Sequence, residues 1–186
     1  AGLRFGFTAD NGSCVILRGP VKHTTISRCI FDPVGNDALI AYPRADSTAK
    51  GWEQYKPWSL DTMEYIYLTD NQFRNVDKNT ITISDGSQKW GAIPPWGSLH
   101  HIFILRNKRE HVGLEKFDSR FGGRGALRLN YARTAEIAGN FINGSAGPGI
   151  QIHGGKGPDT YAQNRELTRI LVHHNKVERT CLTIND

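Results

Sequence analysis

Apolar and polar residues alternate along this chain in short runs, with a period of two rather than 3.6 residues, which predicts β-strands with one buried face. The pattern is fullest over residues 135–152, where Ala135 and Ile137 lead to Asn140, then Ile142, then Ile150-Gln151-Ile152. It recurs over residues 66–83, with Asn71 and Phe73 followed by Ile81-Thr82-Ile83, and over residues 170–184, with Asn175 and Val177 followed by Leu182-Thr183-Ile184. A looser copy carries Ile104, Asn107 and a delayed Leu127-Arg128-Leu129; another has Ile26, Phe31 and Leu39 with Cys29 in the asparagine position. Phe5, Phe7, Val15 and Leu17 fit the second half of one more. Positions 29, 71, 107, 140 and 175 lie 42, 36, 33 and 35 residues apart, a spacing that belongs to solenoids or propellers. A propeller blade needs four strands per repeat, and each repeat here supplies two or three. Each copy therefore reads as one turn of a parallel β-helix: one all-β domain over residues 1–186, with about five to six coils.

Alternation assigns the two faces of each strand. Val15/Leu17, Leu39/Ala41, Ile81/Ile83, Leu127/Leu129, Ile150/Ile152 and Leu182/Ile184 point inward from the first strand of successive coils. Ile66/Leu68, Ile102/Ile104, Ala135/Ile137 and Ile170/Val172 form the second strand. Two outward columns then follow on the first-strand face. One reads Ile16, Ile40, Thr82, Arg128, Gln151, Thr183, and the other Arg18, Tyr42, Ser84, Asn130, His153, Asn185. The second column has a hydrogen-bonding residue at every position. Long loops flank this face at residues 42–63, 84–99 and 153–167, and a charged, Gly-rich insertion at 109–125 reads as a flap beside it. Loops of such length are more often functional than decorative.

The blocks Asn71-Gln72-Phe73, Asn140-Phe141-Ile142 and Asn175-Lys176-Val177, each set between alternating strands, resemble coils of the pectate-lyase-like right-handed parallel β-helix superfamily. The resemblance implies that Asn71, Asn107, Asn140 and Asn175 occupy the tight bend between second and third strands, where their amides bond to neighbouring coils. Cys29 departs from that pattern. The superfamily holds lyases, hydrolases, epimerases, phage tailspikes and non-catalytic modules, so the resemblance speaks to fold and leaves the reaction open. The Asp-Pro-His-Asp sequence of alginate epimerases and the paired aspartates of polygalacturonases are absent.

Charge and composition narrow the partner. Lys and Arg outnumber Asp and Glu by 23 to 18, a net +5, with a pI near 9.2. This suits an acidic partner, although an ordinary solvated surface gives the same number. The basic residues are scattered rather than striped, which disfavours nucleic acid. No apolar run approaches membrane-spanning length. Cys14, Cys29 and Cys181 have no metal spacing and read as buried free thiols, with a Cys14–Cys29 bridge as the alternative. The chain opens in mid-pattern at Leu3 with no signal peptide, as a mature form or a fragment would. It stops at Ile184-Asn185-Asp186 without a cap, so further coils or a partner chain are expected over that end.

All four tryptophans, Trp52, Trp58, Trp90 and Trp96, fall in the two longest loops after the first strand, with Tyr55 among them. Aromatic rings beside a polar stripe suit sugars, whose C–H faces stack while their hydroxyls need polar partners; rings that merely pin the loops would look the same. The expected ligand is therefore a polysaccharide or oligosaccharide, contacted by Tyr42, Trp58, Trp90, Trp96, Asn130 and Gln151, and the expected location is secreted or periplasmic. Proton abstraction beside a uronate carboxylate needs a neutralising cation, a base and a donor to the leaving oxygen. Arg128, His153 or Lys156, and Tyr161 would fill those parts. A hydrolase needs two carboxyl groups about 5–9.5 Å apart, and the outward columns contain none; Asp85, just past its strand, is the nearest. Calcium-assisted chemistry would want clustered Asp/Glu ligands, and none stands out, so no cofactor is expected. A carbohydrate-processing enzyme, lyase before hydrolase, thus competes with a non-catalytic binding or tailspike-like module and with a purely structural solenoid.

Overall fold

A computed structural model describes residues 2–6, 12–18, 21–42, 63–84, 99–112, 125–130, 132–153 and 169–180; at Arg18, Tyr42, Ser84, Asn130 and His153 it describes the backbone alone. These residues form sixteen strands and no helix. The strands sort into three parallel sheets, with successive strands of the chain visiting each sheet in turn, an arrangement consistent with a β-helix or solenoid. The first sheet stacks β2 (Val15–Arg18), β5 (Leu39–Tyr42), β8 (Ile81–Ser84), β11 (Leu127–Asn130) and β14 (Ile150–His153). The second stacks β3 (Val21–Ser27), β6 (Met63–Thr69), β9 (Leu99–Leu105), β12 (Thr134–Ala138) and β15 (Arg169–His173). The third stacks β1 (Arg4–Phe5), β4 (Ile30–Phe31), β7 (Gln72–Val76), β10 (Lys108–Val112), β13 (Phe141–Ser145) and β16 (Lys176–Thr180).

The inward set places the core. Leu39, Ile66, Leu68, Phe73, Ile81, Ile83, Ile102, Ile104, Leu127, Leu129, Ile137 and Ile142 are all fully buried. Each such side chain contributes roughly 1.5–3 kcal/mol over leaving it in water. Like packs on like along the stack: the Phe5, Phe31 and Phe73 rings lie face to face, 4.9 and 4.7 Å between centroids.

Between second and third strands the chain turns sharply at a residue of positive φ, which is Arg28, Asp70, Arg106, Gly139 and His174 in successive coils. Only Gly139 takes that conformation without steric cost. The next residue is Cys29 or an asparagine, and the asparagines form a continuous ladder. Asn107 Oδ1 accepts from the backbone N of Asn71 at 3.1 Å and from Asn71 Nδ2 at 3.0 Å, while Asn107 Nδ2 donates to the Leu68 carbonyl at 2.8 Å. Asn140 and Asn175 repeat the pattern, and Asn71 Oδ1 ends it by accepting from the Cys29 backbone N at 3.0 Å. A bend that would bury unpaired amides is thereby satisfied coil by coil. Cys14 and Cys29 are free thiols, Cys29 buried and Cys14 half-buried; Cys181 lies outside the described residues.

One expectation fails. Residues 109–125 do not begin a flap, because Arg109 to Val112 belong to β10, in register with β7 and β13. Arg109 is fully buried, at the core position that Phe73 and Ile142 fill in adjacent coils. A cation there hid the strand from an apolar pattern.

Candidate functional site

The first sheet places Ile16, Ile40, Thr82, Arg128 and Gln151 in one outward column, each in register with the next. Their inward neighbours at Leu39, Ile81, Ile83, Leu127 and Leu129 are fully buried, so the alternation of β-structure leaves the column facing out. Ile16 is 43% exposed; Ile40, Thr82, Arg128 and Gln151 are half-buried. The column is apolar at one end and polar at the other, and adjacent members sit about 4.8 Å apart.

Arg128 is the charged member. Its Nε is shielded from solvent and has no hydrogen-bond partner among the described residues. A shielded guanidinium donor left unpaired costs free energy, and is commonly explained by a water, an ion or a ligand group at the site.

Beside the column stands a carboxylate that the outward pattern does not contain. Asp37 precedes β5 by two residues, as Asn79 precedes β8 and Gly125 precedes β11. These three build a second ladder at the turn from third to first strand. Asp37 Oδ1 accepts from the Asn79 backbone N at 2.8 Å and from Asn79 Nδ2 at 3.0 Å; Asn79 Oδ1 in turn accepts from the Gly125 backbone N at 3.0 Å. Gly125 allows a close approach: a Cβ there would lie 2.3 Å from the Pro148 carbonyl oxygen. The second oxygen of Asp37 reaches the column itself, with Thr82 Oγ1 donating to Oδ2 at 3.1 Å. Asp37 is thus the carboxylate at this face among the described residues; the expected Asp85 lies outside them. The signal for it was its alignment with Asn79 two residues before an inward leucine or isoleucine.

The other predicted residues fall in two groups. Asn130 and His153 are paired in register on β11 and β14, two residues beyond Arg128 and Gln151, and Tyr42 ends β5; their backbones belong to this face. Asp85, Trp58, Trp90, Trp96, Lys156 and Tyr161 lie outside the described residues, so of the expected constellation the sheet brings together Arg128, Gln151, Asn130 and His153.

The second sheet has a different outer face. Tyr67 and Phe103 stack at 4.7 Å, and Tyr65 stacks on His23 at 4.8 Å. With their faces turned to one another, these rings offer a sugar mainly their edges. His100 on the same sheet has its pKa lowered, first by burial and then by the Arg133 charge. Among the described residues no group of three or more His, Cys, Asp or Glu is placed to hold a metal ion. Comparison with protein-family models, with curated proteins and with solved structures finds no match to this chain.

Proposed function

We propose that the chain is a right-handed parallel β-helix of the pectate-lyase-like type, secreted or periplasmic, whose first-sheet face takes an acidic, uronate-containing polysaccharide and cleaves it by β-elimination. The observation that carries the reading is Arg128, the one cation among the described members of its column, with an Nε that has no partner among the described residues. A uronate carboxylate supplies a counter-charge for the half-buried guanidinium, and its neutralisation acidifies the neighbouring C–H. His153, with its backbone two residues past Gln151, is the base in this reading, with Lys156 as the alternative and Tyr161 as donor to the leaving oxygen. The long loops carrying Trp58, Trp90 and Trp96 supply stacking surfaces at the flanks.

Hydrolysis is the weaker chemistry. It needs two carboxyl groups with distinct proton tasks. The carboxylate described at this face, Asp37, has both oxygens engaged by Asn79 and Thr82. The same observation favours, as second reading, a binder that holds the acidic glycan without cleaving it.

Incubation with a panel of acidic and neutral polysaccharides, read by ultraviolet absorbance of unsaturated products together with reducing ends, tests the reading. β-Elimination raises both signals, hydrolysis raises reducing ends alone, and a binder retains oligosaccharide while raising neither. Arg128→Ala and His153→Ala should each abolish the absorbance signal with unchanged thermal unfolding. Full activity in both variants would remove this face from the reaction.

A further inference from the structure

We infer that Asp37 and Thr82 set the hydrogen-bond polarity of the subsite next to Arg128, so that this face selects an acidic sugar bearing a free hydroxyl over its O-acylated form. The inference rests on the acidic-glycan reading and adds the group that decides which acidic sugar is accepted.

A threonine hydroxyl has one proton and two lone pairs, and ordinarily rotates to suit its partner. Thr82 has lost that freedom. Asp37 Oδ2 can only accept, so the Thr82 proton is committed to it across 3.1 Å. The carboxylate is held in turn, since Oδ1 receives both the backbone N and the Nδ2 of Asn79. What Thr82 shows the face is therefore lone pairs alone. One coil away, in register, Arg128 has donors alone. On the other side Ile40 is apolar. The column thus presents a fixed sequence of apolar surface, acceptor and cationic donor at a repeat of about 4.8 Å. A uronate that sets its carboxylate against Arg128 brings a hydroxyl within reach of Thr82, and that hydroxyl must donate. An O-acetyl group at that position removes the proton and faces acceptor with acceptor, which leaves a polar group at the face unpaired.

Asp37→Asn inverts the arrangement with almost no change of shape. The side chain of Asn79 still requires an oxygen at Oδ1, so the new amide directs its NH2 at Thr82 and donates to it. The Thr82 proton is then released toward the ligand, and the subsite becomes a donor. Thr82→Val removes the acceptor altogether.

The test is the ratio of dissociation constants for an oligogalacturonate and for the same oligogalacturonate O-acetylated on its ring hydroxyls, by calorimetry. Thermal unfolding of each variant serves as the fold check. The wild-type chain should bind the unsubstituted form roughly tenfold more tightly. The ratio should fall to near one in Thr82→Val and to one or below in Asp37→Asn, while Arg128→Ala weakens both ligands together. A wild-type ratio of one, or an unchanged ratio in both variants, overturns the polarity assignment and leaves the acidic-glycan reading intact. Absence of binding to either ligand by the wild-type chain overturns both. Because the two variants act on different sides of the bond, misfolding of one leaves the other to decide.

Discussion

Arg109 is the residue whose chemistry and position disagree most. It sits in a column with Phe31, Phe73, Ile142 and Val177, yet carries a charge. Its Nε donates to Thr80 Oγ1 at 2.8 Å, Nη1 to Asn140 Oδ1 at 3.3 Å, and Nη2 has no partner among the described residues. The Phe73 ring, 5.5 Å away, gives a cation–π contact but no counter-charge. Burial lowers its pKa to about 9. Asn140 Oδ1 also accepts from Asn107, and Thr80 Oγ1 donates to the Ala126 carbonyl, so neither is orphaned by loss of the guanidinium. Arg109→Met should therefore stabilise the chain by roughly 1–4 kcal/mol in urea unfolding, as replacing buried charges by apolar side chains often does. The pH dependence follows from the sign of the shift. The unfolded chain binds the proton more tightly, so the penalty is fully present below about 9 and fades above it. The advantage of Arg109→Met should be constant near neutrality and shrink by pH 10; an advantage that grows with pH would refute the assignment. Asp70 shows the opposite sign. Its two oxygens accept from Arg106 Nε and Nη2, each at 2.8 Å, and this holds its pKa below the ordinary 3.8. Its contribution is present above 3.8 and lost as acid titrates the folded carboxylate. Asp70→Asn should thus be less stable than wild type at neutral pH and equal to it in strong acid, with a modest gap because the pair is exposed.

Among the elements, the asparagine ladder gives the sharpest contrast between interior and end. Asn107→Ala deprives Asn71 of an acceptor for its backbone N and its amide, and leaves the Leu68 carbonyl without its side-chain donor, all of them buried. Several orphaned groups at about 1–3 kcal/mol each predict a loss of roughly 3 kcal/mol or more. Asn175→Ala makes the same cut at a half-buried position and should cost less, a difference that paired chemical-denaturation curves would resolve. The asparagine positions were legible in the sequence because their spacing and alternating flanks share one register; that their amides bond from coil to coil was what the resemblance to pectate-lyase-like β-helices implied. The core followed from the same register, since inward residues are apolar in nearly every coil. What escaped were places where a polar residue does structural work. Arg109 gave no apolar mark, so β10 was read as an insertion. The sharp bends fall at Arg28, Asp70, Arg106 and His174 as well as at Gly139, and at Arg28 and Arg106 the residue type carries no local signal for positive φ. Asp37 was hidden because it reaches the first-strand face from a turn, which strand alternation does not reveal.

Along the whole stack, a one-dimensional architecture makes stability a matter of neighbours. Leu129, Ile137 and Ile142 are fully buried, one in each sheet of one coil. Their register partners in the next coil, Ile152, Val172 and Val177, are 42, 46 and 42% exposed. The same side-chain class at the same inward position thus gives up much of its burial on moving one coil along the axis. Ile137→Ala should cost about 2–5 kcal/mol, as large-to-small changes in packed cores do, and Val172→Ala about 1 kcal/mol or less. Opening should follow the same gradient, because a segment with fewer buried contacts unfolds at lower free energy. Native-state hydrogen exchange is then expected to be slowest for the paired amides of β6 to β12, flanked by coils on both sides, and faster for β14 to β16. Addition of mild denaturant should bring the exchange of β14 to β16 up first, before β6 to β12 merge with global unfolding. Uniform protection across β6 to β16, with a single denaturant dependence, would mean that the stack opens as one cooperative unit and that the burial gradient does not govern its dynamics.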